Sequence, residues 1–94
     1  QQTGEADFLP RQGLDSTTLL QLFSWSREQF LKNTEGSAIR RIGYERWSSN
    51  LAVAIGNGNP STEALQALEE KAKDASELVR EHVAWARDRL KNRG

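Results

Sequence analysis

Ile39, Ile42, Trp47, Leu51, Ala54 and Ile55 fall mostly three to five residues apart, on a stretch that ends in Gly56-Asn57-Gly58-Asn59-Pro60. That spacing places large apolar groups on one face of a helix, and the Gly/Asn/Pro run stops it. No segment of the chain alternates apolar and polar residues long enough for a strand, so the fold is expected to be all-α. The period predicts one long helix over 37–55, the longest of the chain. Gly43 lies inside it, at a cost of about 1 kcal/mol relative to Ala, which points to close packing by a neighbour.

Shorter helices are expected on either side. Asp15 or Ser16 suits the cap of a helix carrying Leu19, Leu20, Leu22 and Phe23. Ser24 or Ser26 suits the cap of a second, over 27–33, with Phe30 and Leu31 facing inward and Gly36 closing it. After Pro60, a helix over 62–73 carries Ala64, Leu65, Leu68 and Ala72. Asp74-Ala75-Ser76-Glu77 then has capping-box form with Asp74 as the cap. The last helix runs to about Lys91 with Leu78, Val79, Val83, Ala86 and Leu90 on one side. These four to five helices in antiparallel hairpins suit a small HEAT-like helical-repeat domain over 15–91, with a small bundle as the competing architecture. Residues 1–14, with Gly4, Pro10 and Gly13, read as a flexible lead-in from an upstream domain, and 92–94 as a disordered tail.

Composition narrows the chemistry. The 94 residues contain no Cys and one His. Thiolate nucleophiles, Cys-ligated zinc, iron–sulfur ligation and disulfides are therefore excluded within this chain. No carboxylates fall at metal-loop spacing, so no metal site is expected. No nucleophile–base pair with a supporting third group occurs, so no catalytic residues are expected. The longest strongly apolar stretch, Leu51 to Ile55, is far short of a membrane span. The N-terminus has no secretory pattern and no Met, which fits a soluble, cytoplasmic piece of a longer protein. No heptad seam appears, so a monomer is expected.

Thirteen Lys+Arg balance 13 Asp+Glu. The balance is uneven along the chain: Arg40, Arg41 and Arg46 face only Glu45 between residues 37 and 58. Arginines near a helix N-terminus oppose its dipole. Placed there, they suit a partner. Gly43, Arg46 and Asn50 share a helical face, where an Arg and an Asn one turn apart can hold a phosphate and a sugar or base edge. The alternative is a solvated surface, with Arg46 paired to Glu45 or another nearby carboxylate and Asn50 capping something local. His82 sits at the edge of the last helix's apolar side and reads either as a packed, hydrogen-bonded group or as a functional one. Trp47 and Trp85 suit base stacking or, more simply, the core and its edge.

The run Phe23-Ser24-Trp25-Ser26-Arg27-Glu28-Gln29-Phe30-Leu31-Lys32-Asn33-Thr34-Glu35-Gly36-Ser37-Ala38-Ile39-Arg40-Arg41-Ile42-Gly43-Tyr44-Glu45-Arg46-Trp47 resembles the C-terminal region of the epoxyqueuosine reductase family. So do Asn50-Leu51-Ala52-Val53-Ala54-Ile55-Gly56-Asn57 and Val79-Arg80-Glu81-His82-Val83-Ala84-Trp85-Ala86. The resemblance spans about residues 5 to 90. It implies a HEAT-like domain separated from a cobalamin-binding catalytic domain and a ferredoxin-like domain with two [4Fe–4S] clusters. It further implies a parent enzyme that reduces epoxyqueuosine at the tRNA wobble position, with the cluster cysteines upstream of this chain. On that resemblance, Arg40, Arg41, Arg46, Asn50, Arg80 and His82 match the family pattern and are candidates to contact the tRNA anticodon stem-loop. The residue before the Asn is commonly Arg in the family. Here it is Ser49, which removes one candidate phosphate contact. The alternative is a docking module that packs on the ferredoxin-like domain without meeting RNA. Exposed Phe8, Leu9 or Trp25 would favour it.

Overall fold

A computed structural model describes residues 16–93. The expected lead-in, with Phe8, Leu9 and the candidate cap Asp15, lies outside the described residues. Five α-helices follow in order: α1 Ser16–Phe23, α2 Arg27–Asn33, α3 Tyr44–Gly56, α4 Thr62–Lys71 and α5 Glu77–Arg93, with a 3-10 segment Ala38–Ile42 ahead of α3. No strand occurs among the described residues, so the architecture is all-α. None of the described helices is long and apolar enough to cross a membrane.

The expected single helix over 37–55 is divided. Ser37 caps the 3-10 segment by accepting the Ile39 N–H. Gly43 closes the segment by donating to the Arg40 carbonyl. It then turns the backbone to φ +88°, ψ 152°, where α3 begins. L side chains avoid that conformation, so the glycine is there to break the helix. A Cβ at Gly43 would meet nothing within 4 Å, so close packing does not explain it. The longest helix is instead α5, of 17 residues. It runs on through Asn92 to Arg93 rather than ending near Lys91, because nothing in Lys91-Asn92-Arg93 breaks a helix.

Serines set the other helix starts. Ser26 and Gln29 form a reciprocal capping box on α2, and Ser61 accepts the Ala64 N–H at the start of α4. Ser76, not Asp74, caps α5 by accepting the Val79 N–H at 3.3 Å. Asp74 is drawn off to another partner, described below. In α2, Phe30 is fully buried, whereas Leu31 points outward, because a seven-residue helix offers the core a single narrow stripe.

α3 is the central element. Trp47, Leu51 and Ile55 meet the buried Phe23, Phe30, Leu68, Val79, Val83 and Leu90 in one core. Trp25 stacks on Trp47 with centroids 5.3 Å apart, and Phe30 lies 4.9 Å from Trp47 and edge-on to Tyr44 at 6.1 Å. Such aromatic contacts add about 0.5–1.5 kcal/mol each beyond burial. α3 also buries small residues, Ser48, Ser49, Ala52 and Gly56, and Gly56 lies directly against Ala86 of α5. α3 starts beside Asp74 and ends against Ala86, so α3 and α5 run in the same direction and pack directly on each other, and α4, which connects them in the chain, returns along α5.

Close approach falls at Gly56. A Cβ there would lie 2.9 Å from both Ala86 Cα and Ala86 Cβ and 3.0 Å from the Trp85 ring. Backbone cannot give way as a flexible side chain does. Gly56→Ala is expected to lower unfolding stability by about 1–3 kcal/mol through overpacking. Gly58→Ala, whose Cβ would meet ordinary contacts at 3.5 and 3.6 Å, is expected to change it by no more than about 0.5 kcal/mol. Urea unfolding of the two variants checks the difference.

Candidate nucleic-acid interface

Lys71, at the end of α4, carries the polar centre of the molecule. Its Nζ donates to the Trp25 carbonyl at 2.6 Å and to Tyr44 Oη at 2.7 Å. Tyr44 Oη in turn donates to Asp74 Oδ1 at 2.7 Å. Asp74 Oδ2 accepts the Ser76 N–H at 2.9 Å, and Arg80 Nη1 donates to the Asp74 carbonyl at 2.7 Å. The chain of bonds ties the α1–α2 connection, the start of α3, the end of α4 and the start of α5 into one cluster. The Lys71 ammonium also lies over the Tyr44 ring at 5.0 Å and the Phe23 ring at 5.8 Å, within cation–π range.

The titration shifts follow from this arrangement. Burial pushes the Tyr44 hydroxyl up, and the Asp74 bond and charge push it further, well above the usual tyrosine value. Burial lowers Lys71, and the Asp74 charge partly offsets that. Burial alone would raise Asp74. The Tyr44 hydroxyl, the Ser76 N–H and the Lys71 and Arg27 charges outweigh it and hold the carboxyl below its ordinary range.

This cluster gathers positive charge at the end of the molecule where α3 begins. Arg27 of α2 lies 5.0 Å over the Tyr44 ring and pairs loosely with Glu45 at 3.8 Å, both side chains about half exposed. Lys73 lines the same cleft as Lys71. Arg40 and Arg41 are exposed on the last turn of the 3-10 segment, immediately before Gly43 and Tyr44. The expectation that they stand near the N-terminus of a long helix, against its dipole, therefore gives way. They close one short helical segment, where cations are favoured, just ahead of the next.

The six residues expected to form a site divide as follows. Arg40 and Arg41 stand exposed a few residues ahead of α3, and Arg80 reaches the polar cluster at the Asp74 carbonyl. Arg46 and Asn50 are exposed on α3, four residues apart on one outward stripe. Gly43 is not part of that stripe, because the helix starts after it. Among the described residues the side chains of Arg40, Arg41, Arg46 and Asn50 have no hydrogen-bond or ion-pair partner; the expected alternative of Arg46 held by Glu45 does not occur, since Glu45 faces Arg27. Arg80 is engaged by the Asp74 carbonyl and braces the α4–α5 turn. His82 stands apart on α5, half-buried, with Nδ1 2.8 Å from the Leu78 carbonyl one turn back, the packed role rather than an open one. Position 49 is 2% exposed, so it is not open to a phosphate.

Sequence reading missed Arg27, Lys71 and Lys73. They lie in segments of negative or balanced charge and meet at one cleft only through the fold. Trp47 is core, and Trp85 is 43% exposed beneath the Arg89 guanidinium at 5.4 Å.

Among known proteins, several epoxyqueuosine reductases are similar to this chain in sequence. The chain is 55% identical over 84 residues to one from Pseudomonas aeruginosa, covering 89% of this chain and 23% of that protein. It is 55% identical over 86 residues to one from Xanthomonas campestris, covering 92% and 24%. It is 54% identical over 86 residues to one from Escherichia coli, covering 92% and 22%. The chain is homologous to one segment of the epoxyqueuosine reductases. It spans about a quarter of the length of these relatives. No protein-family model and no solved structure matches it.

The iron–sulfur clusters that the resemblance implies for the reductase do not fit these residues. A [4Fe–4S] cluster is held by thiolates, and the chain has no Cys. Among the described residues no three His, Asp or Glu side chains are grouped to hold a metal ion. The clefts at Lys71, between α1 and α4, and along α4, of about 290, 460 and 390 Å³, open to the surface.

The Asp74 shift fixes a pH dependence. A carboxyl held below its unfolded value stabilises the fold fully above that value, near 3.8, and loses the contribution as pH falls through its folded value. Asp74→Asn is therefore expected to lower stability at pH 7 and to flatten the acid limb below about pH 4. Thermal unfolding of both proteins between neutral and acid pH checks this. A parallel acid limb in the two would show that Asp74 contributes nothing to it.

Proposed function

We propose that this chain is the RNA-holding module of an epoxyqueuosine reductase, engaging the anticodon stem-loop of the tRNA whose wobble base the rest of that enzyme reduces. The observation that carries this reading is the set of exposed arginines, Arg40 and Arg41 ahead of α3 and Arg46 on it, without an acidic partner among the described residues, in a chain that also gathers Arg27, Lys71 and Lys73 at one cleft by the start of α3. Arginine forks suit bidentate phosphate contacts. Along an RNA stem such contacts recognise backbone shape rather than sequence. The chain itself supplies positioning; the reduction, with its cobalamin and iron–sulfur clusters, belongs to the part of the reductase that this chain does not cover. The proposed setting is the cytoplasm, with the chain acting as a monomeric HEAT-like unit of the larger enzyme.

Docking against a ferredoxin-like domain is the second reading. Trp25 gives it no support, because its ring is stacked on Trp47 rather than exposed. Leu78 and Trp85 do favour it, since both are exposed, two turns apart on one stripe of α5.

NMR titration of the labelled chain with a tRNA anticodon stem-loop separates the two. Shifts are expected on Arg40, Arg41, Arg46 and Asn50. With about three phosphates neutralised, a roughly threefold rise in salt is expected to weaken binding by about tenfold. Absence of shifts at millimolar RNA, or binding that salt does not weaken, would overturn the RNA reading. Shifts confined to Leu78 and Trp85 on adding the remaining domains would establish docking.

A further inference from the structure

The cleft above Lys71 has a charge arrangement that folding alone does not require. Lys71 has three N–H donors, and two are met by neutral oxygens, the Trp25 carbonyl and Tyr44 Oη. The nearest carboxylate, Asp74, spends one oxygen on the Tyr44 hydroxyl and the other on the Ser76 N–H. No described carboxylate forms an ion pair with Lys71 or Lys73, and Arg27 has only the loose, exposed pair with Glu45. Arg27, Lys71 and Lys73 thus line one surface cleft of about 290 Å³ together with two carboxylates, Asp74 and Glu70, an excess of one positive charge, and none of the described carboxylates bonds to Lys71 directly. The Ser26 hydroxyl, which accepts the Gln29 N–H through its oxygen, keeps its own proton to donate into the same cleft.

We propose that this cleft is a phosphate-binding site, in which Lys71 Nζ, the Arg27 guanidinium, Lys73 Nζ and the Ser26 hydroxyl converge on one phosphate group. The third Lys71 N–H supplies the inner contact, held in place by the two bonds that fix the ammonium. Arg27 supplies a fork that is already oriented by the Tyr44 ring beneath it. A phosphate adds a direct charge-assisted bond to an ammonium whose other two bonds go to neutral oxygens, and bonds of this kind are about twice as strong as neutral ones. Asp74 and Glu70 also line the cleft and oppose an anion. Asp74 is committed to Tyr44 and Ser76 in the fold, so removal of the Glu70 charge is the informative change. The site stands on its own geometry; only the source of the phosphate, an RNA backbone or a small phosphorylated molecule, rests on the RNA reading above.

The test uses this chain, isotopically labelled, and inorganic phosphate as the probe, with chloride holding ionic strength constant. Saturable shifts are expected on Ser26, Arg27, Lys71 and Lys73. Because Lys71 also ties the fold together, the rim residues carry the mutational test. Arg27→Gln and Lys73→Gln are each expected to weaken phosphate binding by about tenfold, the size of one charge-assisted bond. Glu70→Gln is expected to strengthen it. Shifts that do not saturate, that chloride reproduces, or that Glu70→Gln leaves unchanged would overturn the site.

Adding an anticodon stem-loop then separates the two sources. Displacement of phosphate by the stem-loop supports the site with RNA as the source. Phosphate retained while Arg40, Arg41 and Arg46 shift supports the site with a small phosphorylated molecule as the source. No phosphate binding alongside RNA shifts on those arginines overturns the cleft and leaves the RNA reading standing.

Discussion

The hydrogen bonds made by Lys71 hold this domain's polar end together. One ammonium reaches the carbonyl that ends the α1–α2 connection and the hydroxyl that begins α3, and that hydroxyl reaches the carboxylate that precedes α5. Four chain segments meet at these atoms. Leaving any member without its partner would strand a partly buried polar group, at about 1–3 kcal/mol each. The geometry also explains why Asp74 does not cap α5. Its side chain is worth more bridging Tyr44 and the Ser76 N–H, and Ser76 takes over the cap.

Gly43 gives Tyr44 its place in that cluster. A continuous helix through 37–55 would carry residues 38–42 onward along the axis of α3. The turn at φ +88° ends one segment and starts the next, so Tyr44 becomes the first residue of α3 and its hydroxyl meets Lys71 and Asp74. The same turn leaves Arg40 and Arg41 exposed just outside the cluster. Structural and candidate functional roles thus share one break in the backbone.

Much of the architecture was legible in the sequence because helices advertise themselves through period and caps. The stop after Gly56, the start after Pro60 and the apolar stripe of α5 all follow from local pattern. The two glycines were not legible in the same way. Gly43 reads in sequence as a closely packed helix interior and Gly56 as part of a helix stop, yet Gly43 supplies a positive φ and Gly56 supplies room for Ala86. Only tertiary packing distinguishes conformational need from steric need. Likewise Ser49 read as a missing RNA contact, but on α3 that position is buried. Arg40, Arg41 and Arg46 stood out because their local segment is basic. Arg27, Lys71 and Lys73 sit among compensating charges and meet at one cleft only through the fold, with Lys71 bonded to partners 27 and 46 residues away in the chain.

The overall charge balance bears on how such a surface works. With 13 basic and 13 acidic residues the chain carries no net charge. Long-range attraction of an RNA polyanion, which depends on net charge and extended potential, is therefore weak. Attraction becomes appreciable only within about a Debye length of the exposed arginines, roughly 8–10 Å at physiological salt. A surface of this kind orients a bound chain better than it captures a free one. On the proposed RNA reading, capture would fall to a tethered neighbour that raises the local concentration of RNA, so that a few arginine contacts become effectively intramolecular. A chain that spans about a quarter of the reductases it resembles leaves room in them for such a neighbour.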